Sequence, residues 1–244
     1  MEPRSLRSRR SSSYYCGELI KADFSQRREF VMRNSLRRWK NEKLAQKLKK
    51  VFESKSVRVI YLPDIEMVVE EVHKLIPDGA TVSSGGSVTL QETGVMDLLR
   101  SGKYEFLDRD SVSEDKERRK IMIKAFESDY YLCSANAITE NGEILLLDGS
   151  GNRAAAVTFG PEKVIFVAGI NKVVEDLDAG IKRIKSIAPM NAKRLNLHTP
   201  CATTGFCSDC SSEERICEMY SIIIDSRRRP WRYTIVLIGE ELGL

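Results

Sequence analysis

The 244-residue sequence predicts an α/β protein of three layers, α/β/α, built on a largely parallel sheet. Three observations carry that prediction. Short β-branched runs alternate with amphipathic helical stretches, the signature of βαβ units. Two of the runs, Tyr130–Cys133 and Val164–Ala168, are almost continuously apolar, as strands covered on both faces are. Finally, a polar or Gly-rich cluster follows one strand after another, and in open α/β sheets ligands gather beyond the carboxyl ends of the strands.

Charge divides the chain. Residues 1–50 hold 15 Lys and Arg against 5 Asp and Glu, whereas the remaining 194 hold 24 against 30. Residues 1–31 are rich in Ser and Arg without a sustained period, and are expected to be a disordered or poorly ordered basic extension. Residues 32–244 are expected to form a single α/β domain. A basic arm can bind nucleic acid, but no aromatic interleaving or nucleic-acid motif accompanies this one, and it reads as a solvated tail. No apolar run approaches the ~20 residues of a membrane span. The basic stretch Arg4–Arg10 leads into Ser11–Ser13 rather than an apolar signal core. The expectation is therefore a cytoplasmic protein with reduced thiols, and both a monomer and a homo-oligomer are open to it.

In chain order, Leu44, Leu48, Val51 and Phe52 recur at helical spacing and predict an amphipathic helix from Leu36 to about Lys55. Val57–Leu62 reads as a strand, and Pro63-Asp64 as a break and N-cap. Ile65, Val68, Val69, Val72, Leu75 and Ile76 then lie on one helical face, with His73 off the stripe. A brief strand at Ala80–Val82 enters Ser83–Ser87. Tyr104–Leu107 is another short strand. Asp110–Glu127 reads as a charged helix turning Ile121, Ile123 and Phe126 inward. After the strands at 129–134 and 164–168, Val174, Leu177, Ile181, Ile184 and Ile187 mark a further core-facing helix. Ser221–Asp225 and Trp231–Ile238 read as two strands that complete the sheet, around a solvated Arg227–Pro230 loop.

The polar clusters are the candidate site. Ser84, Gly85, Gly86 and Ser87 form a strand-to-helix loop whose backbone N–H groups can cradle phosphate or carboxylate. It is not a Walker loop, because no Lys follows the glycines, and it lacks the dinucleotide spacing. Glu92, one turn inside the helix, either faces the same crevice or closes a capping bond with Ser87. Asn136 follows the strand at 129–134 and is an Asx-turn residue or a ligand contact. Asp148 and Arg153 bracket Gly149 and Gly151, with Asn152 beside them. They pair locally, or Asp148 serves a hydroxyl or a proton while Arg153 holds an anion. Lys172, after a buried strand, is the leading anion-binding lysine. Glu92 and Asp148 are the candidate catalytic carboxylates, and the expected ligand is a small anion.

The sequence Cys201-x5-Cys207-x2-Cys210-x6-Cys217 is the other chemical signal. Its Cys-x-x-Cys pair can ligate zinc or an iron–sulfur cluster, or exchange thiols. The overall spacing fits no standard zinc finger or ferredoxin, so all these readings stay open, with His198 as an alternative ligand. Cys133, in a buried strand, is most simply a small hydrophobe.

With these segments placed, residues 36–244 resemble the LUD-domain family of lactate-utilisation proteins. The motifs that carry the likeness are 84–94, 134–142, Asp148–Arg153, Phe159–Pro161, Gly169–Lys172, Asn191–Arg194 and Thr199–Cys210. The resemblance implies a fold like that of the sugar-phosphate isomerase and CoA-transferase superfamily (NagB/RpiA-like). It implies an accessory or ligand-binding subunit in the oxidation of lactate or another 2-hydroxy acid, acting with an iron–sulfur redox partner protein. A looser likeness links Asn136–Gly151 to the segment by which ribose-phosphate-type isomerases and initiation-factor-2B-like proteins present an acid and a Gly-rich turn to a phosphorylated ligand. That likeness implies the alternative, an isomerase-like enzyme acting on a phosphorylated sugar or related anion. No residue here matches the isomerase acid–base pair or the CoA-transferase glutamate.

Overall fold

Continuous apolar runs decide the centre of the fold. In the computed structural model, which describes residues 13–244, the strands are β1 (Arg58–Leu62), β2 (Thr81–Ser84), β3 (Glu105–Leu107), β4 (Tyr130–Cys133), β5 (Ala137–Thr139), β6 (Ile144–Asp148), β7 (Lys163–Gly169), β8 (Val173–Val174), β9 (Met219–Ile223) and β10 (Tyr233–Ile238). The helices are α1 (Ser13–Glu53), α2 (Val68–Leu75), α3 (Val88–Glu92), α4 (Val95–Leu99), α5 (Asp115–Lys124), α6 (Asn152–Thr158), α7 (Leu177–Arg194) and α8 (Pro200–Thr204). Residues 1–12, the start of the basic extension for which the sequence predicts disorder, lie outside the described residues. The chain divides into two units, residues 1–41 and 42–244. In the first, α1 begins upstream of the amphipathic stretch read from Leu36.

Six strands form a sheet in the order β1-β10-β7-β4-β2-β3, every neighbour parallel. The two-residue period of a strand sends alternate side chains to opposite faces. Val164, Phe166 and Ala168 of β7 thus meet Leu48 and Phe52 of α1 and Ala156 and Val157 of α6. Ile165 and Val167 meet Val68 and Val72 of α2, Leu90 of α3, and Val95 and Leu99 of α4. Helices on both faces explain why these strands have no polar face. The three-layer, largely parallel architecture is the one the sequence predicts.

A second, mixed sheet departs from the single sheet expected. Its order is β8-β5-β6-β9. Asn141-Gly142, with Gly142 at φ +85°, turns the chain back so that β6 pairs antiparallel with β5. β9, expected in the main sheet, pairs antiparallel with β6 instead, and only β10 enters the main sheet, between β1 and β7. One face of the second sheet joins the first core through Ile138, Ile144 and Leu146. Its other face packs Ala137 and Leu145 against Ile184 of α7.

Three smaller expectations also change. Asp64 makes no side-chain cap; the Ile65 N–H donates instead to the Glu240 carboxylate at 2.7 Å. The stretch 110–127 breaks into α5 and flanking 3-10 turns, and Ile123 is exposed rather than inward. Val174 belongs to β8, so the predicted helix begins later, with Asp176 accepting from the Ala179 N–H as its N-cap.

Phe166 is fully buried in the first core, 6.0 Å from the Tyr233 ring centroid. Phe166→Ala removes that packing and leaves a cavity, so urea titration should show a loss of about 3–5 kcal/mol.

Candidate functional site

Parallel register brings the loops together. Ser84 of β2 lies opposite Leu132 of β4, and Cys133 of β4 opposite Phe166 of β7, so the chain leaves all three strands at one edge. The end of β6 and the start of α6 reach the same edge from the second sheet. Between them lies a cavity of about 280 Å³. Gly86, Ser87, Asn136, Asp148, Gly149, Asn152, Arg153 and Lys172 line it, so the four clusters read from sequence do converge. Ser84, Gly85, Gly151 and Glu92 are not in the lining. Ser84 is buried with its Oγ 3.9 Å from the Met96 sulfur. Gly85 packs against Tyr131 and Cys133. Gly151, at φ +71°, is the N-cap of α6, where a left-handed residue must sit.

Arg153 is the hub of the wall. Its Nε donates to Asp148 Oδ1 at 2.9 Å and its Nη1 to the Ser134 carbonyl at 2.9 Å. Its Nη2 donates to Asn136 Oδ1 at 2.7 Å and to the Leu147 carbonyl at 2.9 Å. Asp148 uses its other oxygen to accept from the Ala154 N–H at 2.8 Å. Asn136 Oδ1 also accepts from the Leu147 N–H at 3.0 Å. Asp148, Asn136 and Arg153 therefore largely satisfy one another. Glu92 is engaged elsewhere: its carboxylate accepts from the Gly243 N–H at 2.6 Å, while the capping role falls to Ser87, which accepts from the Leu90 N–H at 3.2 Å.

Lys172 stands apart. It is 3% exposed, in the 3-10 turn that follows β7, and its Nζ donates to Thr89 Oγ1 and Ser134 Oγ, both at 2.9 Å. Among the described residues no carboxylate pairs with it. Burial, reinforced by the Arg183 and Arg153 guanidinium groups, pulls its pKa down to about 7. Beneath it Arg183 of α7 donates to the carbonyls of Asn171 at 2.9 Å and Asn136 at 2.6 Å; burial lowers its pKa also. The Cys133 thiol is pushed up to about 12 by burial, so it is an inert core group, as its strand context predicts.

Sequence reasoning missed Arg109, Thr89, Ser134 and Arg194, all in the lining. Thr89 and Ser134 each follow a predicted strand end closely, a signal that was there to read. Arg109 comes from the turn after β3 and had none. Its contacts are weak, 4.0 Å to the Met122 sulfur and 3.7 Å to Asp110, which leaves guanidinium donors available. Among the described residues Arg194 donates only to the Asn191 side-chain oxygen, through Nε and Nη2. Four cationic side chains thus line the cavity against one acidic side chain, Asp148, which Arg153 already holds, and Leu244 lies in the lining with them.

Among the described residues no three His, Cys, Asp or Glu side chains are placed to share a metal ion. Cys201 lies in α8, its sulfur 3.3 Å from Thr199 Oγ1. Arg215 spans the loop, donating to the carbonyls of Cys210 at 2.6 Å and Cys217 at 2.9 Å. His198 is taken by Glu214, whose carboxylate lies 3.1 Å from its Nδ1 and accepts from its backbone N–H at 2.7 Å.

The fold and this edge define a three-layer α/β protein with a cation-lined crevice beyond the carboxyl ends of its central strands. The LUD domain profile matches residues 45–238, and the chain belongs to that family. Two solved structures are similar to it. A DUF162 family protein from Deinococcus radiodurans is 12% identical, with a TM-score of 0.47 over 81% of this chain and 97% of that one. The eIF2B beta structure from Chaetomium thermophilum is 15% identical, with a TM-score of 0.33 over 47% of this chain and 44% of that one. No curated protein sequence matches the chain. Among the described residues, no helix is long and apolar enough to cross a membrane.

The lowered pKa of Lys172 has a thermodynamic consequence. Between about pH 7 and the ordinary lysine value, the unfolded chain binds a proton that the folded chain lacks. Stability therefore rises with pH across that window. The groups facing the amine, Glu92, Cys133, Arg153 and Arg183, stay constant in a comparison with Lys172→Met. That variant should be more stable than the wild type near pH 7, by on the order of a few kcal/mol, with the gap closing toward pH 10. Chemical denaturation of both proteins across that range checks it.

Proposed function

We propose that the crevice binds a small anionic ligand, and that the chain is an accessory or ligand-binding subunit in the utilisation of lactate or another 2-hydroxy acid, working with an iron–sulfur redox partner protein. The single observation that carries the binding reading is the charge of the lining side chains: Arg109, Arg153, Lys172 and Arg194 against one acidic side chain, Asp148. Membership of the LUD-domain family supports the metabolic context. A cavity of about 280 Å³ lies at the lower end of small-molecule sites, which suits a three- to five-carbon acid better than a dinucleotide.

Within that cavity Arg153 is the frame. Arg109 and Arg194 carry the unspent N–H donors that meet a carboxylate or phosphate, and Arg forks suit either group. Lys172 adds a charge that an anion itself would reinforce, since a nearby negative charge favours the protonated amine. The isomerase-like alternative requires a carboxylate free to move a proton between carbons. Glu92 and Asp148 are both engaged by N–H donors, which favours binding over that chemistry.

The proton balance makes the reading testable. If the anion restores the proton on Lys172, affinity weakens as pH rises above about 7, by up to about tenfold per pH unit. Calorimetric titration with lactate, pyruvate, inorganic phosphate and ribose 5-phosphate at pH 6 and pH 8 should show a bound anion, with tighter binding at pH 6 for the non-carbonyl anions lactate and phosphate. A ligand at 100 times its Kd should also raise stability by about 2.7 kcal/mol. No heat and no stabilisation with any of the four would contradict the proposal.

A further inference from the structure

A lysine meant only to hold an anion gains nothing from burial, because desolvation weakens it as a cation. The same desolvation makes an amine a nucleophile. Lys172 is 3% exposed, lines the crevice, has no carboxylate partner among the described residues, and sits between two hydroxyls, Thr89 Oγ1 and Ser134 Oγ, each at 2.9 Å. Those hydroxyls can hand protons to and from a group attached to the nitrogen. The turn that presents the amine is rigidly held: Asn171 Oδ1 accepts from the Leu242 N–H at 3.1 Å, and the Asn171 carbonyl accepts from Arg183 at 2.9 Å.

We propose that the Lys172 amine condenses with the carbonyl carbon of a small anionic carbonyl compound, a 2-oxo acid, to form an imine within the crevice. The proposal rests on the anion-binding reading, with the substrate carboxylate held by the guanidinium groups of Arg109 and Arg194 rather than by Lys172. The nitrogen lone pair forms the C–N bond as the carbonyl π electrons move to oxygen, and a proton passes from nitrogen to that oxygen, giving a carbinolamine. The hydroxyl then takes a second proton and leaves as water, and the nitrogen loses its remaining hydrogen to leave the C=N bond. The sum is amine plus carbonyl giving imine plus water, with no oxidant or reductant consumed. Ser134 and Thr89 are placed to relay the protons. The reactive neutral amine is plentiful at neutral pH: with a pKa of about 7, its neutral fraction exceeds that of an ordinary lysine by about a thousandfold.

The test is reductive trapping. The full chain is incubated at pH 7 with sodium cyanoborohydride and either pyruvate, ribose 5-phosphate or acetone, and the modified peptides are mapped by mass spectrometry. The expected result is a reduced pyruvate adduct on the Lys172 peptide ahead of every surface lysine, absent in Lys172→Met and several-fold slower in Ser134→Ala. Because Ser134→Ala keeps the lysine, it reports on the chemistry even if Lys172→Met folds poorly. An adduct with ribose 5-phosphate alone would overturn the 2-oxo acid as substrate class. Labelling of Lys172 no faster than surface lysines, or equal labelling by acetone, would overturn the proposal. If Lys172 stays unmodified while calorimetry shows pyruvate bound, the imine fails and the anion-binding reading stands. If pyruvate neither binds nor labels, both fail.

Discussion

One guanidinium holds the edge of this protein together. Arg153 donates to acceptors on four residues, Ser134 and Asn136 after β4 and Leu147 and Asp148 of β6. β4 belongs to the parallel sheet and β6 to the mixed one, so these bonds close the seam where the two sheets meet. The side chains of Arg153 and Asp148 are only 13% and 11% exposed. Removing one partner of such a pair strands the other and is usually severely destabilising, because its charge is left without compensation. The wall of the crevice is therefore fixed before any ligand arrives, which is what a binding site needs in order to avoid the ordering cost of association.

Against that fixed wall, the opposite side is set by the way β7 ends. The strand runs out at Gly169, where a side chain would meet the Glu240 carbonyl oxygen and the Leu242 nitrogen, both 2.6 Å from the Cβ position. The chain then turns through Ile170–Lys172 and delivers Lys172 between hydroxyls from α3 and the β4 loop. The result is a division of labour among cations. Arg153 is structural, Arg183 braces the loops from below, Arg109 and Arg194 keep donors open, and Lys172 alone is poised between charge states. Both candidate carboxylates accept N–H bonds from the surrounding scaffold.

Much of this was legible in the sequence. Continuous apolar runs at Tyr130–Cys133 and Val164–Ala168 announce strands buried on both faces, and polar residues just after them announce an edge where loops collect. The second sheet was not legible, because Ile144–Leu147 reads the same whether its partner is a parallel neighbour or its own hairpin. Periodicity reports burial and is silent on pairing. Within the site, Asp148 and Arg153 could be read as a pair from their separation, but nothing local reveals that Asn136 and Ser134 share the same guanidinium. Arg109 could not be found at all, since its place depends on where the turn after β3 falls in space. Four closely spaced cysteines suggest a metal set, but spacing alone does not say how α8 and the Arg215-braced loop place their side chains.

The account turns on an amine that is buried and half neutral inside a cationic crevice. NMR titration of lysine side chains, with Lys172 assigned by its loss in Lys172→Met, observes that state directly. The account predicts a midpoint near 7 for Lys172, moving upward when a non-carbonyl anion such as phosphate or lactate binds. A midpoint near the ordinary lysine value of about 10.4, unmoved by any anion, would contradict it.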